Sequence, residues 1–198
     1  MTWPMRPAMG LLAAGLLAAC ATQQGPGTAG RDARASLEAM AGRLPIQVAD
    51  FERGETTWHE QARPGLGVTV DYAGPGRSAV ATVSVYDRGQ AAIPADIGAA
   101  GVQQEFALAV REVLDLAEDR TSQNLAERDR TRLDIPGQAP LQCATLQGTY
   151  GRQPVQTLLC LGTASGRYLK VQVTSPTRQV RPVDPLPFVV GITRAARG

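Results

Sequence analysis

The chain has 198 residues, of which 20 are basic and 18 acidic, so its formal net charge is +2. This near balance provides no positive field that would gather nucleic acid, and nucleic-acid binding is excluded from the interpretation. About 165 residues remain after the N-terminal segments described below, a length that suits one domain with its own core.

A short apolar segment lies near the N-terminus. Arg6 precedes an uncharged run from Ala8 to Ala19, which matches a signal-peptide core and is shorter than the ~20 residues of a membrane-spanning helix. The run ends in Leu17-Ala18-Ala19-Cys20, which resembles the lipobox of bacterial lipoproteins. The resemblance implies that residues 1–19 are a signal peptide and that Cys20 is lipidated and becomes the first mature residue. The alternative is an ordinary secretory signal that leaves Cys20 as a free thiol.

The residue after the cysteine bears on the destination of such a lipoprotein. Ala21 stands where the family usually carries aspartate for retention in the inner membrane, so the resemblance implies an outer-membrane lipid anchor with the domain facing the periplasm. Residues 20–33 are predicted to be the lipidated N-terminus and a flexible tether, with little apolar content. Residues 34–198 are then expected to form a single periplasmic α+β domain.

The first half of this domain predicts one short helix and three strands. Leu37, Met40 and Ala41 recur at helical spacing within residues 36–43. Residues 51–60, 68–72 and 79–86 are predicted to form an antiparallel three-strand unit, with a turn at 74–76. Trp58 and Tyr72 lie in these strands and are the candidate residues of a surface patch for a partner.

A long helix is predicted next, after a loop that contains Pro94. Asp96 is expected to cap it. Its apolar row consists of Val102, Phe106, Val110, Val113 and Leu116 or Ala117. The charged residues of its other faces are interpreted as a solvated surface; they are Glu112, Asp115, Glu118, Asp119 and Arg120.

The second half predicts three consecutive strands, at 141–149, 155–163 and 167–174, and a closing helix from Asp184-Pro185. The apolar side of that helix carries Phe188, Val189, Ile192 and Ala195. The loop at 164–166 admits two registers. A three-residue loop places Leu161 opposite Leu169 on one continuous apolar face, whereas a two-residue turn sets Leu161 against Lys170. The apolar pattern favours the three-residue loop.

Two cysteines remain inside the domain. A turn centred on residues 151 and 152 places Cys143 opposite Cys160, at a non-hydrogen-bonded pair whose Cα atoms approach to ~4.5 Å. Such a pair can accept a disulfide, and the periplasm favours oxidation. We therefore expect a Cys143–Cys160 disulfide; the alternative is two reduced cysteines in the core.

No catalytic constellation is recognised in the sequence. His59 is the only histidine, and its place next to Trp58 in a predicted strand is interpreted as packing. The chain carries no nucleophile-elbow, metal-binding or nucleotide-binding motif. No cofactor, metal or catalytic residue is therefore predicted, although paired carboxylates are a spatial feature that a sequence does not display.

Together these elements predict an α+β fold, with an antiparallel sheet of about six strands in two three-strand groups, packed by a long central helix and a C-terminal helix. The element order over residues 45–197 resembles the PsbP-like sandwich, which implies an accessory or scaffolding role. The leading hypothesis is a non-catalytic, lipid-anchored periplasmic module that binds an envelope protein partner or another envelope component. The alternatives are a ligand-binding lipoprotein with a cleft between sheet and helix, and a small envelope hydrolase.

Overall fold

The computed structural model describes residues 34–118 and 123–198. The signal segment, Cys20 and the tether lie outside the described residues, as do Asp119 and Arg120. In chain order the elements are α1 (Leu37–Arg43), β1 (Gln47–Val48), β2 (Phe51–Trp58), β3 (Val68–Ala73), a short 3₁₀ turn (Pro75–Arg77), β4 (Val80–Tyr86), α2 (Ala100–Glu118), β5 (Gln123–Leu133), β6 (Leu141–Tyr150), β7 (Gln153–Ala164), β8 (Arg167–Pro176) and α3 (Leu186–Arg197).

The strands form one antiparallel sheet in the order β1-β2-β3-β4-β8-β7-β6-β5. The α+β class and the antiparallel sheet are confirmed, but the described strands number eight rather than about six. The two predicted groups are one sheet because β4 pairs with β8, with Val83 opposite Val171.

The strand missed by the sequence analysis is β5, at one edge of the sheet. Arg128, Asp129, Arg130 and Arg132 are all exposed along it, so it lacks the apolar alternation that indicates a strand. Charged side chains are typical of edge strands, where they discourage pairing with another chain. β1, the other addition, has only two residues.

Helices cover both faces of the sheet. On one face, α1 and α3 bury Met40, Phe188 and Ile192 against strand residues that include Val70 and Val171. On the other face, α2 packs on β6 and β7 through a cluster of buried residues that includes Val102, Phe106, Ala109, Val110, Leu146, Leu159 and Leu161. Successive residues of β7 therefore belong to two different cores.

This two-sided burial corrects the predicted register of the β7–β8 hairpin. Ser165 and Gly166 have φ values of 48° and 71° and form a two-residue turn, which places Leu161 opposite Lys170. The predicted three-residue loop is wrong. Its premise was a single apolar face, whereas Leu161 packs beneath α2 and Leu169 packs on the face of α1 and α3.

The β6–β7 hairpin has the register that a turn at residues 151 and 152 implies. Tyr150 pairs with Gln153, and Cys143 pairs with Cys160. The structure joins the two cysteines by a disulfide, with their Cα atoms 4.1 Å apart. Both lie in the core on the side of α1 and α3.

Two helix boundaries also differ from expectation. α2 begins at Ala100 and not next to Asp96, whose carboxylate accepts a hydrogen bond from the Gly98 amide in the preceding turn. At α3, Asp184 accepts from the Leu186 amide as expected of a cap. The N-cap of α3 is Pro185, one residue later than the expected Asp184. Near the end of that helix the fully buried residue is Ala196 rather than Ala195, which is half-buried.

Candidate functional site

One half of the sheet face that carries α2 is not covered by the helix. The residues there are polar: Thr69, Asp71, Thr82 and Gln172 lie side by side on β3, β4 and β8 and are half-buried or exposed. We call these four residues the open face. The opposite side of the same strands is closed by α1 and α3, so ligands and partners have access to the sheet on the open face.

A cleft of about 330 Å³ lies where the open face meets α2. It is lined by His59, Arg63, Leu66, Thr69, Ser84, Tyr86, Arg88, Glu112 and Lys170, and we call it the α2 cleft. His59 is the only histidine of the chain and Lys170 its only lysine. The two residues are 111 positions apart in the sequence, and only the tertiary fold brings them to one cleft.

The outer wall of the cleft is a tight loop between β2 and β3. The carboxylate of Glu60 holds this loop by accepting hydrogen bonds from the amides of Gly65 and Gly67, at 2.9 and 2.8 Å. Gly67 has a φ of 62°, and a Cβ there would lie 1.9 Å from the Val85 carbonyl oxygen. Only glycine fits this position, and the loop is thereby held against the end of β4.

The inner wall is a network of charges around Tyr86. Glu105, only 4% exposed, accepts hydrogen bonds from the Tyr86 hydroxyl at 2.8 Å and from Arg88 Nη2 at 2.9 Å. The same Arg88 nitrogen lies 2.7 Å from Glu112 Oε1, and Lys170 Nζ lies 3.4 Å from Glu112 Oε2. The cations of Arg88 and Lys170 also lie over the Tyr86 ring, 5.1 and 5.7 Å from its centre.

The network shifts the protonation equilibria of its members. Burial and the neighbouring Glu105 carboxylate raise the pKa of Tyr86 well above its ordinary value. Burial opposes ionisation of Glu112, but hydrogen bonds from Arg88 and the charge of Lys170 outweigh it, and the pKa of Glu112 is lowered. For Arg88, burial acts to lower the pKa, but the two carboxylates outweigh it and the pKa is raised. With its pKa raised, the Tyr86 phenol is neutral at neutral pH, whereas Glu112 and Arg88 are ionised.

A chain of hydroxyl groups runs along the floor of the cleft. His59 Nε2 lies 3.2 Å from Thr69 Oγ1, which lies 3.1 Å from Ser84 Oγ. Threonine separates the imidazole from the serine, so these contacts do not form the direct nucleophile–base pair of a serine hydrolase. The arrangement provides donors and acceptors for a polar ligand.

Ion pairs and hydrogen bonds fix the N-terminal end of the described domain close to the loop between β2 and β3. Asp87 is buried and forms ion pairs with Arg34 and Arg167. Arg34 also donates to the carbonyl oxygens of Gln90 and Ala91, at 3.0 and 2.8 Å. The point at which the chain enters the domain is therefore held rigidly relative to the sheet.

A second, larger cleft of about 710 Å³ lies at the other end of the domain, between the start of β2 and the segment that precedes α3. Asp50, Gln179, Val180 and Asp184 are among its lining residues. The described structure shows no ion-pair network there comparable with that of the α2 cleft.

The proposed patch of Trp58 and Tyr72 does not exist as a surface. Trp58 is 39% exposed at the end of β2, but Tyr72 is 2% exposed. The Tyr72 ring packs edge-on against Phe188, and its hydroxyl donates to the Pro45 carbonyl oxygen at 2.9 Å. The alternation of β3 turns Tyr72 toward α3, so it belongs to the core.

Three residues of the α2 cleft were not predicted from the sequence as site residues: Arg88, Glu112 and Lys170. Glu112 was interpreted as part of a solvated helix face, which is the usual role of such a residue. One signal was present: Lys170 is a lone lysine in a chain whose other cations are arginines. This singularity singles out Lys170, but it gives no indication that Arg88 and Glu112 lie beside it in the α2 cleft.

Within residues 34–118 and 123–198, no cluster of three or more His, Cys, Asp or Glu side chains is suited to a metal ion. Among the helices described, none combines the length and apolar character needed to cross a bilayer.

The fold and cleft define an α+β domain with helices on both faces of an antiparallel sheet. No protein-family model matches the chain, and no curated protein matches it. Among solved structures it is similar to cyanobacterial PsbP (CyanoP) from Synechocystis sp. PCC 6803, with 13% sequence identity, a TM-score of 0.38, and coverage of 67% of this chain and 84% of that one. At this level of similarity no residue role is transferred from that protein to this chain.

Proposed function

We propose that this protein is a non-catalytic binding module of the bacterial envelope, held by lipid on Cys20 to the outer membrane and facing the periplasm, where it binds an envelope protein partner. The observation that supports this most directly is the open face, a polar half of the sheet that α2 leaves uncovered. Polar, half-buried side chains on a rigid sheet are suited to recognition because little order has to be created on binding.

The proposed lipid anchor on Cys20 would also assist binding to a partner. A lipid anchor confines the domain to one surface and raises its effective concentration near partners in that membrane. The ion pairs of Asp87 with Arg34 and Arg167 hold the domain end of the tether. The open face therefore keeps a constant relation to the point at which the tether leaves the domain.

A photo-crosslinking amino acid placed at Thr82 in intact cells tests partner binding. Thr82 lies on the open face, and Thr131, exposed on the edge strand β5, is the matched control. We expect a discrete protein adduct from Thr82 that is absent from Thr131. The same adducts from both positions, or none from Thr82, would contradict partner binding at this face.

Ligand binding in the α2 cleft is the second candidate function. It is favoured by the convergence of Arg63, Arg88 and Lys170 on one cleft, where Glu112 is the single lining carboxylate among the described residues. Purified protein that binds a small molecule without any partner would establish this function independently of crosslinking.

A further inference from the structure

Two cationic groups of the α2 cleft, on Lys170 and Arg63, have hydrogen-bonding capacity that the described residues use only in part. Lys170 Nζ has three N–H donors, yet within the described residues its hydrogen-bond partner is Glu112 alone, at 3.4 Å. The Lys170 side chain is only 18% exposed, which limits its access to solvent. Arg63 lines the same cleft and forms no ion pair with any residue that the structure describes.

The charge of the site favours one further anion. Three cations, Arg63, Arg88 and Lys170, line the cleft, and Glu112 is its lining carboxylate. Glu105 lies behind Arg88 and accepts its hydrogen bonds at 2.9 and 3.1 Å. With both carboxylates counted, the lining groups carry one positive charge in excess, while the Glu60 carboxylate of the outer wall is bound by the amides of Gly65 and Gly67. The partly buried cation is Lys170, and an anion beside its ammonium group would be stabilised there.

The chemistry of Glu112 indicates which anion fits. Its two oxygens lie against Arg88 and Lys170, so the site already accommodates a carboxylate between two cations. Beside them, Thr69 and Ser84 offer hydroxyl groups and His59 a ring nitrogen, which suits a ligand with hydroxyl groups of its own. A cleft of about 330 Å³ matches a small molecule of this type.

We propose that the α2 cleft binds a small hydroxylated monocarboxylate, with its carboxylate between Lys170 and Arg63 and its hydroxyl groups against Thr69 and Ser84. The proposal rests on ligand binding, the second function above. Glu112 then competes with the ligand, because its carboxylate already accepts a hydrogen bond from the Lys170 ammonium group that the ligand would use. Replacement of Lys170 should consequently lower the affinity for the ligand, and replacement of Glu112 should raise it.

Ligand-observed NMR on the full mature protein in detergent micelles tests this with two matched probes. Gluconate carries the required carboxylate and hydroxyl groups, and sorbitol has the same carbon chain and hydroxyls with an alcohol in place of the carboxylate. We expect saturable binding of gluconate in the millimolar range or tighter, and none of sorbitol. Two further probes are measured in the same way. Acetate has the carboxylate without the hydroxyl groups and shows what the hydroxylated chain contributes to binding. Inorganic phosphate shows whether the site prefers phosphate to a carboxylate.

Four variants establish where the probe binds. Lys170→Met and Arg63→Gln should weaken gluconate binding, the first at least tenfold, whereas Glu112→Gln should strengthen it severalfold. Arg152→Gln, in the exposed turn between β6 and β7, is the matched control and should change nothing. Arg63 is exposed, so its variant keeps the test valid if Lys170→Met fails to fold.

Equal binding of gluconate and sorbitol, no binding of gluconate, stronger binding of phosphate than of gluconate, or weaker binding in Glu112→Gln would each overturn the proposal. A crosslink from Thr82 would be unaffected by any of these results, so failure of the ligand proposal is distinguishable from failure of partner binding.

Discussion

Cys143 and Cys160 are bonded to each other across the β6–β7 hairpin, with their Cα atoms 4.1 Å apart at directly opposed positions of the two strands. Their side chains face the core beneath α1 and α3, where Val171 of β8 is the next cross-strand neighbour of Cys160. The bond therefore links two strands inside the core rather than joining surface loops.

Replacement of both cysteines by alanine should lower the free energy of unfolding by about 3 kcal/mol, because the bond closes a loop of 17 residues in the unfolded chain. Chemical denaturation of the wild type and of Cys143→Ala/Cys160→Ala measures this difference. Non-reducing mass spectrometry of the protein isolated from cells should show the two cysteines joined. Free alkylation of both thiols in the denatured wild type would refute the disulfide.

The lipobox resemblance predicts that Cys20→Ser abolishes lipidation and leaves the signal uncut or misprocessed, because the Cys20 thiol is the atom that would be acylated. Metabolic labelling with a radioactive fatty acid, followed by immunoprecipitation, measures the modification. Cys143→Ala/Cys160→Ala should retain the label and is the control. Incorporation of label into Cys20→Ser at the wild-type level would reject the anchor.

If tethering matters, a soluble periplasmic form in which a cleavable signal peptide without a lipidated cysteine replaces residues 1–20 should fold normally yet fail to complement a deletion strain at native expression, because it loses the high local concentration at the membrane. Circular dichroism checks its folding, and growth of the deletion strain under conditions that require the gene measures its function. Full complementation by the soluble form would count against the tether.

The ion pairs of Glu112 should make stability depend on acid. The folded-state pKa of Glu112 is lowered from 4.5, so its contribution is present above that value and is lost as the pH falls through the folded-state pKa. We expect Glu112→Gln to lose less stability than the wild type as the pH is lowered below 4.5. Denaturation midpoints measured across this range test the effect, and parallel curves for the two proteins would contradict it.

Two glycines provide a matched test of backbone packing. A Cβ at Gly148 would lie 1.6 Å from the Asn124 carbonyl oxygen on β5, whereas a Cβ at Gly42 in α1 meets no atom within 4 Å. Gly148→Ala should therefore destabilise the protein by about 1–3 kcal/mol. Gly42→Ala should stabilise it by about 0.5–1 kcal/mol because alanine is the better helix former. Thermal unfolding measures both changes. An unchanged or raised midpoint in Gly148→Ala would show that the contact at β5 is not restrictive.

Much of the fold was predictable because the spacing of apolar residues within short segments indicates which segments are helices and which are strands. The helical spacing of Leu37, Met40 and Ala41 predicted α1, and the alternation of Val68 and Val70 predicted β3. The charged edge strand β5 was not predictable in this way, since only Leu125 of its side chains is buried and most of the others are charged or polar, with no apolar period. The boundary at Asp96 was wrong because its carboxylate stabilises a turn that precedes α2.

The sequence by itself determined the class of the domain, the opposition of Cys143 and Cys160, and the expectation of a lipid anchor at Cys20, because each depends on residues close together in the chain. The tertiary structure decided the register of Leu161 against Lys170, the burial of Tyr72, and the meeting of Glu112 with Lys170. These three relationships depend on which face of the sheet each helix covers. That choice is made by packing between elements far apart in the chain, and no local pattern encodes it.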